Sequence, residues 1–172
     1  MIELDDAGLP GGDTDIKALR SVYGRFPTGV MAVCAMHEGD PVGFAVSSFN
    51  TVSAEPPLVS ICVQRGSSTW PLLASSPMIG LSVLAAAQQA LCRQLAARNH
   101  FDRFTGAGWS ATRNGAVLIA DAAAWLECDL QDVLTVGDHE LVILQVRRHR
   151  ANPDVPPLVF HASQFHSLTV GG

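Results

Sequence analysis

The chain is short of charge. Only 16% of its 172 residues are Asp, Glu, Lys or Arg, and 11 basic side chains face 16 acidic ones, for a net charge of −5. Lys and Arg gather nowhere into a patch. The nearest approach, Arg147, Arg148 and Arg150, reads as a solvated strand edge. A nucleic-acid footprint needs a basic face or stripe, so nucleic acid is not an expected partner. The four cysteines, Cys34, Cys62, Cys92 and Cys128, contain no C-x-x-C pair, which leaves zinc sites of that type unsupported. Each sits in apolar sequence, as a free buried thiol of a reducing compartment does. No apolar run approaches the roughly 20 residues of a membrane span. No basic-then-apolar leader opens the chain, whose start is acidic. A cytoplasmic location without membrane attachment is expected.

The usual catalytic signatures are missing too. There is no G-x-S-x-G elbow, and Ser47 and Ser48 have no activating base nearby in sequence. No two histidines stand at the i, i+4 spacing of a helical metal site. His161 and His166 lie five apart, and His37, His100, His139 and His149 are scattered. A metal held by His139 and His161 is weaker than the reading of surface histidines, and no metal is expected. "GAGWSA", 106–111, fits G-x-G-x-x-A literally. It follows no apolar strand and opens no helix, and the helix N-terminus is what gives that motif its phosphate affinity.

What is present is a globular composition, 48% apolar, in a length suited to one domain. Residues 1–13 read as a mobile tail, and 14–169 as a single domain without repeats. Asp13 or Thr14 is a candidate cap for a helix near 15–25, with Ile16, Leu19 and Tyr23 at helical spacing. Two apolar runs flank "HEGD", a hairpin signal. Strands are expected at "LVSICV" and "MIGLSVL", a short helix at "STWPLLASS" with Pro71 in its first turn, and a second main helix over 86–98. Residues 99–117 read as irregular. Ala124, Leu126, Cys128 and Leu130 alternate with Trp125, Glu127 and Asp129, as in a half-buried strand. "TVGDHE" turns it, "LVILQV" returns, and "PLVFHASQFHSL" gives a last strand and tail. Strands in hairpins, without regular strand–helix alternation, predict a mainly β fold: an antiparallel barrel with peripheral helices.

One stretch asks for a functional reading. In "GFAVSSFNTVSAEPPLVSICV", 43–63, a polar run separates two apolar strands; a second, "QRGSSTW", follows at once. An ordinary long surface loop is the alternative. Small residues let a ligand approach the backbone. The hydroxyls of Ser67, Ser68 and Thr69, with Arg65 and a helix start, could hold phosphate. Two such runs around one strand suggest a ligand with a phosphate and an apolar body.

These residues resemble the flavin reductase-like family, the small reductase components of two-component flavin monooxygenases. "GFAVSSFNTVSAEPPLVSICV" is similar to its hallmark, G-x-T-A-N-S-F-x-S-V-S-x-x-P-P-L-V. "GRFPTGVMAV", "SSTWPLL", "FDRF", "LEC" and "GDH" follow in family order, so that the match spans about Leu19 to Leu168. The resemblance implies an FMN-binding, Greek-key split β-barrel, usually a homodimer. It implies reduction of FMN or FAD by NADH, with NADPH the other candidate donor, and a separate monooxygenase that receives reduced flavin, by free diffusion or contact. It implies flavin-contacting roles for Phe44, Ala45, Val46, Ser47, Ser48 and Ser53. Cys62, Val63, Gln64 and Ser68 follow, with Phe101 and Arg103 on the phosphate side. His139, and more weakly His161, would meet the nicotinamide. No side chain need be an acid, base or nucleophile, because the cofactor carries the chemistry. Ser47 stands where the family commonly has Asn, and Arg103 where Lys is common. Two alternatives stay open: a flavoprotein holding FMN tightly for one dedicated small molecule, and a flavin-binding module without catalysis.

Overall fold

The computed structural model of the chain describes residues 15–97 and 102–168. The expected tail over 1–13, with the cap candidates Asp13 and Thr14, lies outside them. Among the described residues twelve strands and three α-helices follow in chain order. Helix α1 (Ile16–Tyr23) leads into β1 (Thr28–Gly29), β2 (Met31–His37), β3 (Asp40–Val46), β4 (Asn50–Ala54) and β5 (Pro57–Gln64). Helix α2 (Trp70–Ala74), β6 (Ile79–Val83) and α3 (Gln89–Leu95) come next, then β7 (Trp109–Ala111) and β8 (Val117–Ile119). The chain closes with β9 (Ala124–Val136), β10 (His139–Ala151), β11 (Leu158–His161) and β12 (Gln164–Ser167). Asp15 is the N-cap of α1, its carboxylate accepting from the Lys17 N–H at 2.9 Å. The helix expected over 86–98 opens as a 3₁₀ turn at Ala86–Gln88, because the Gln88 side chain reaches back to accept from the Ala85 N–H.

Seven strands form one antiparallel sheet in the order β3-β2-β6-β9-β10-β5-β4. Its two outermost strands, β3 and β4, are consecutive in the chain and joined by Ser47–Phe49 alone. Six inter-strand spacings of about 4.8 Å would put the edges of a flat sheet about 29 Å apart. Four residue steps from Val46 to Asn50 reach at most about 14 Å. The sheet must therefore curl until its edges approach, and the fold is a mainly β, antiparallel barrel left split along one seam.

Strand β2 sits deepest. Residues 30–35 are all buried, as expected of a strand covered on both faces. Met31, Val33 and Ala35 point into the barrel with Ile61, Leu81, Val142 and Leu144. Val30, Ala32 and Cys34 point outward beneath α3, β8 and Leu158. Burial raises the Cys128 thiol to about 12 and the Cys34 thiol well above its ordinary range, so these are inert core groups.

The region expected to be irregular holds the hairpin β7–β8, laid across the sheet. It comes so close that a Cβ on Gly80 would stand 2.0 Å from the Val117 carbonyl oxygen. The hairpin also reverses the expectation for Glu127, whose alternation placed it toward solvent. Glu127 is buried at 3% exposure. Its carboxylate accepts from Thr112 Oγ1 at 2.7 Å and from Arg148 Nε. Arg147 is bidentate on Asp129, with both contacts 2.8 Å, and Arg150 lies over the Trp125 ring. The basic strand edge is thus tied to its neighbours. The last segment is a hairpin, β11–β12, where one strand and a tail were expected. Ala162 and Ser163 make its turn at φ 49° and 63°.

Two outcomes follow. Gly80→Ala should cost about 3 kcal/mol or more, since backbone must move to admit the methyl; urea denaturation with an unchanged midpoint would contradict the close approach. The Arg148 hydrogen bond, aided by Thr112, holds the Glu127 carboxyl below its ordinary 4.5. A depressed carboxyl stabilises the fold above its unfolded pKa and loses that contribution as pH falls through the folded value. The stability difference between wild type and Glu127→Gln should be constant above about pH 5 and shrink below about 4.5. A difference independent of pH down to 3 would contradict the pairing.

Candidate functional site

The seam of the barrel opens into a cleft of about 600 Å³. Phe44, Ala45 and Val46 bring the end of β3 to one wall, followed by Ser47 and Ser48 of the joint. Cys62, Val63 and Gln64 bring the end of β5 to the other. Gly66, Ser67, Ser68 and Thr69 form the floor ahead of α2. The C-terminal end of α3 and Arg103 close one end, and His139 stands at the start of β10, paired in register with Gln64.

The polar run that raised the question is divided between two tasks. Much of it is β4, an edge strand paired with β5, so the surface-loop alternative does not describe it. Asn50 pairs with Ser60, and two residues earlier Ser48 falls opposite Cys62. There the hydroxyl replaces the backbone: Ser48 Oγ donates to the Cys62 carbonyl at 3.1 Å and accepts from its N–H at 2.9 Å. Ser48 is the stitch of the seam. Ser67 Oγ accepts from the Trp70 N–H at 3.2 Å, and Thr69 Oγ1 accepts from Arg103 at 3.0 Å. Three hydroxyls expected to face a ligand thus brace the walls. Ser47 is exposed at the rim.

Arg103 is the buried cation of the site, 8% exposed. Its Nη1 donates to the Gly43 carbonyl at 2.8 Å and to Thr69, while Nε and Nη2 converge on the Ala97 carbonyl. One guanidinium thereby ties β3, the floor loop and the end of α3. Desolvation lowers its pKa from the ordinary arginine value, and it remains charged at neutral pH. Gly43 is needed for the close packing of β3 on β2, since a Cβ there would stand 2.6 Å from both Cys34 Sγ and the Val33 carbonyl oxygen. Arg65, the cation favoured by its place in the polar run, is exposed and does not line the cleft. His139 is half-exposed, with Nδ1 2.7 Å from Asp138 Oδ1. That contact holds the exposed Asp138 carboxyl below its ordinary value.

Eleven of the expected site residues meet in this cleft, from Phe44 through His139. Ser53 does not; it lies within β4, opposite Leu58. His161 does not; it lies on β11, beside the His166 ring at 5.9 Å between centroids. Phe101 lies outside the described residues. Leu95 and Ala96 also line the cleft and were not anticipated. Only the α3 pattern could have pointed to them. No described group of three or more His, Cys, Asp or Glu could hold a metal ion.

Residues 23–169 match the family described as the flavin reductase like domain. The chain is 36% identical to the flavin reductase of Pseudomonas putida over 86% of each chain. It is 32% identical to the flavin-dependent monooxygenase reductase subunit HsaB of Rhodococcus jostii, over 95% of this chain and 83% of that one. It superposes with a TM-score of 0.84 on the Streptomyces globisporus NADH:FAD oxidoreductase SgcE6, solved with NAD and FAD fragments. That match is at 33% identity and covers 93% of this chain and 98% of that one. The chain belongs to the flavin reductase like family.

The residues fit such a cofactor on their own terms. Ala45, Val46, Cys62 and Val63 give the walls small apolar surface between polar groups, which admits a flat ring against backbone. Among the described lining residues there is no Asp or Glu, while Arg103 and His139 are present. In a chain of net charge −5, such a described lining suits an anionic ligand.

Removing the stitch is informative. Ser48→Ala should cost about 1–3 kcal/mol, because two backbone groups of Cys62 lose their partner. Ser47→Ala, one residue away and exposed, should stay within about 0.5 kcal/mol. Equal effects in chemical denaturation would contradict the seam role of Ser48.

Proposed function

We propose that the chain is an NAD(P)H:flavin oxidoreductase that reduces FMN or FAD with NADH and supplies reduced flavin to a separate monooxygenase. The carrying observation is the cleft at the barrel seam, which has no carboxylate among its described lining residues, with Arg103 fixed beneath one end and His139 at the rim. When bound, the flavin supplies the two-electron redox chemistry, as hydride acceptor from reduced nicotinamide.

The chain's own residues bind and orient. Ala45, Val46 and Val63 offer apolar walls for the ring, and Ser47 and Gln64 are polar side chains at its edge. The backbone of Gly66–Ser68 approaches the phosphate. Arg103 contributes a fixed positive field and holds the Ser68–Thr69 loop in shape, its donors being engaged by protein carbonyls and Thr69. His139 positions the nicotinamide nucleotide over the exposed side of the cleft. Holding two rings in contact is the main catalytic contribution of such a protein. Ser53 and His161 keep the roles implied by the resemblance only if a conformational change or a second subunit brings them to the cleft.

A homodimer belongs to this reading. Helix α1 has no buried residue, and Ile16, Val22, Tyr23 and Phe26 are exposed along it and just beyond. Val133, Leu134 and Val136 are likewise exposed at the far end of β9. A second copy would cover such surface. A cytoplasmic location fits the four free cysteines. No helix of the described residues is long and apolar enough to cross a membrane.

Added FMN or FAD should accelerate NADH oxidation catalytically. His139→Ala should raise the KM for NADH and lower kcat, for a loss of about tenfold or more in kcat/KM, with flavin affinity nearly unchanged. Stopped-flow reduction at saturating flavin measures both. No flavin-dependent NADH oxidation would overturn the function. An unchanged NADH dependence in the variant would reduce His139 to a turn residue.

A further inference from the structure

His139 lines the seam cleft, and its neighbour Asp138 does not. Strand β10 begins at His139, whose backbone is set by its register with Gln64. The turn ahead of it is held as well. Gly137 takes the left-handed conformation at φ 60°, and the Asp138 carbonyl accepts from the Arg65 N–H at 3.1 Å. From these fixed backbones the two side chains meet, with His139 Nδ1 2.7 Å from Asp138 Oδ1. The Asp138 side chain is 93% exposed and the His139 side chain 38%. One edge of the imidazole thus meets a carboxylate in solvent. The Nε2 edge, across the ring, is left for the cleft, and Nε2 has no partner among the described residues.

The pairing decides what Nε2 can do. An ionised carboxylate only accepts hydrogen bonds, so the contact with Asp138 places a proton on Nδ1. A neutral imidazole carries one N–H, and which nitrogen holds it is set by the hydrogen bond the other partner demands. Nε2 is then a bare acceptor. It repels phosphate oxygens and suits an N–H donor. On the nicotinamide ring that donor is the carboxamide NH₂.

We propose that Asp138 is a positioning residue for hydride transfer: it fixes the tautomer of His139 in which Nδ1 holds the proton and Nε2 accepts from the carboxamide NH₂ of the nicotinamide. The inference rests on the flavin-reductase reading and names the atoms by which that site recognises its hydride donor. It also removes the pyrophosphate as the partner of neutral His139. A hydrogen bond at the edge of the nicotinamide fixes its rotation over the flavin, and so where the transferred hydrogen points. Asp138 touches neither ring and acts through His139.

The experiment compares NADH with reduced 3-acetylpyridine adenine dinucleotide, whose methyl ketone replaces the carboxamide and offers no N–H. Steady-state kcat/KM is measured for both donors, with FMN as acceptor, in wild type and Asp138→Ala. The different intrinsic reactivity of the analogue is common to both proteins and cancels in the double comparison. In the variant kcat/KM for NADH should fall about tenfold, the scale of one hydrogen bond. The value for the analogue and the flavin dissociation constant should stay within about twofold. Long-range nitrogen–proton NMR of the imidazoles at about pH 8, above the ordinary imidazole range, reads the tautomer directly. Wild type should show His139 protonated at Nδ1, and the variant should lose that preference. The wild-type spectrum is informative even if the variant fails to fold. His139 protonated at Nε2 in wild type overturns the inference while the function stands. So does an equal loss with both donors, or a loss of flavin affinity alongside it, either of which marks a merely structural turn. If wild type oxidises NADH with no flavin at all as acceptor, the function falls and the inference falls with it.

Discussion

Everything in this fold depends on a joint of three residues. Ser47–Phe49 connects the two edges of a seven-stranded sheet, and a chain that short cannot span a flat sheet. Closure of the barrel is therefore a matter of reach. Closure is also incomplete, because strand pairing stops at Asn50 and only the Ser48 hydroxyl carries it one step further. Below that stitch lies the core, and beside it the walls part. The cleft is where a barrel forced to close runs out of backbone pairs.

The same economy runs through the site. Side chains that a ligand could use are engaged in holding the walls: Ser48 across the seam, Ser67 on the Trp70 N–H, Thr69 and Arg103 between strand, loop and helix. What is left facing the cleft is largely backbone, small apolar surface and a few rim groups. Such a site relies on shape, and on the lack of carboxylates among its described lining residues, more than on individual side-chain contacts. It suits a cofactor that brings its own reactivity, and it explains why no triad or carboxylate pair occurs in the sequence.

Much of this was legible beforehand, where local chemistry decides local structure. "HEGD" announced its hairpin, with Glu38 and Gly39 at positive φ, and Pro71 marked the first turn of α2. The cleft walls were found because small polar residues between apolar strands are unusual and because the order of motifs matched a family. The misses share one cause, contacts distant in sequence. Strand β4 is polar and reads as loop, since only its partner β5 makes it a strand. The β7–β8 strands are three residues each, too short for periodicity. They bury Glu127 against the alternation of β9. The β11–β12 turn uses Ala162 and Ser163 at positive φ, where Asn and Gly are the usual signals. Arg65, read from its place in the polar run, does not line the cleft; Arg103, named by the resemblance, reaches it through the packing of its turn.

The central claim is that flavin occupies the seam cleft. Hydrogen–deuterium exchange of the protein with and without saturating FMN tests it most directly. The account predicts slowed exchange over 45–48 and 62–69 and at the start of β10, with β11–β12 unchanged. Slowed exchange at β11–β12 with the seam unaffected would contradict it.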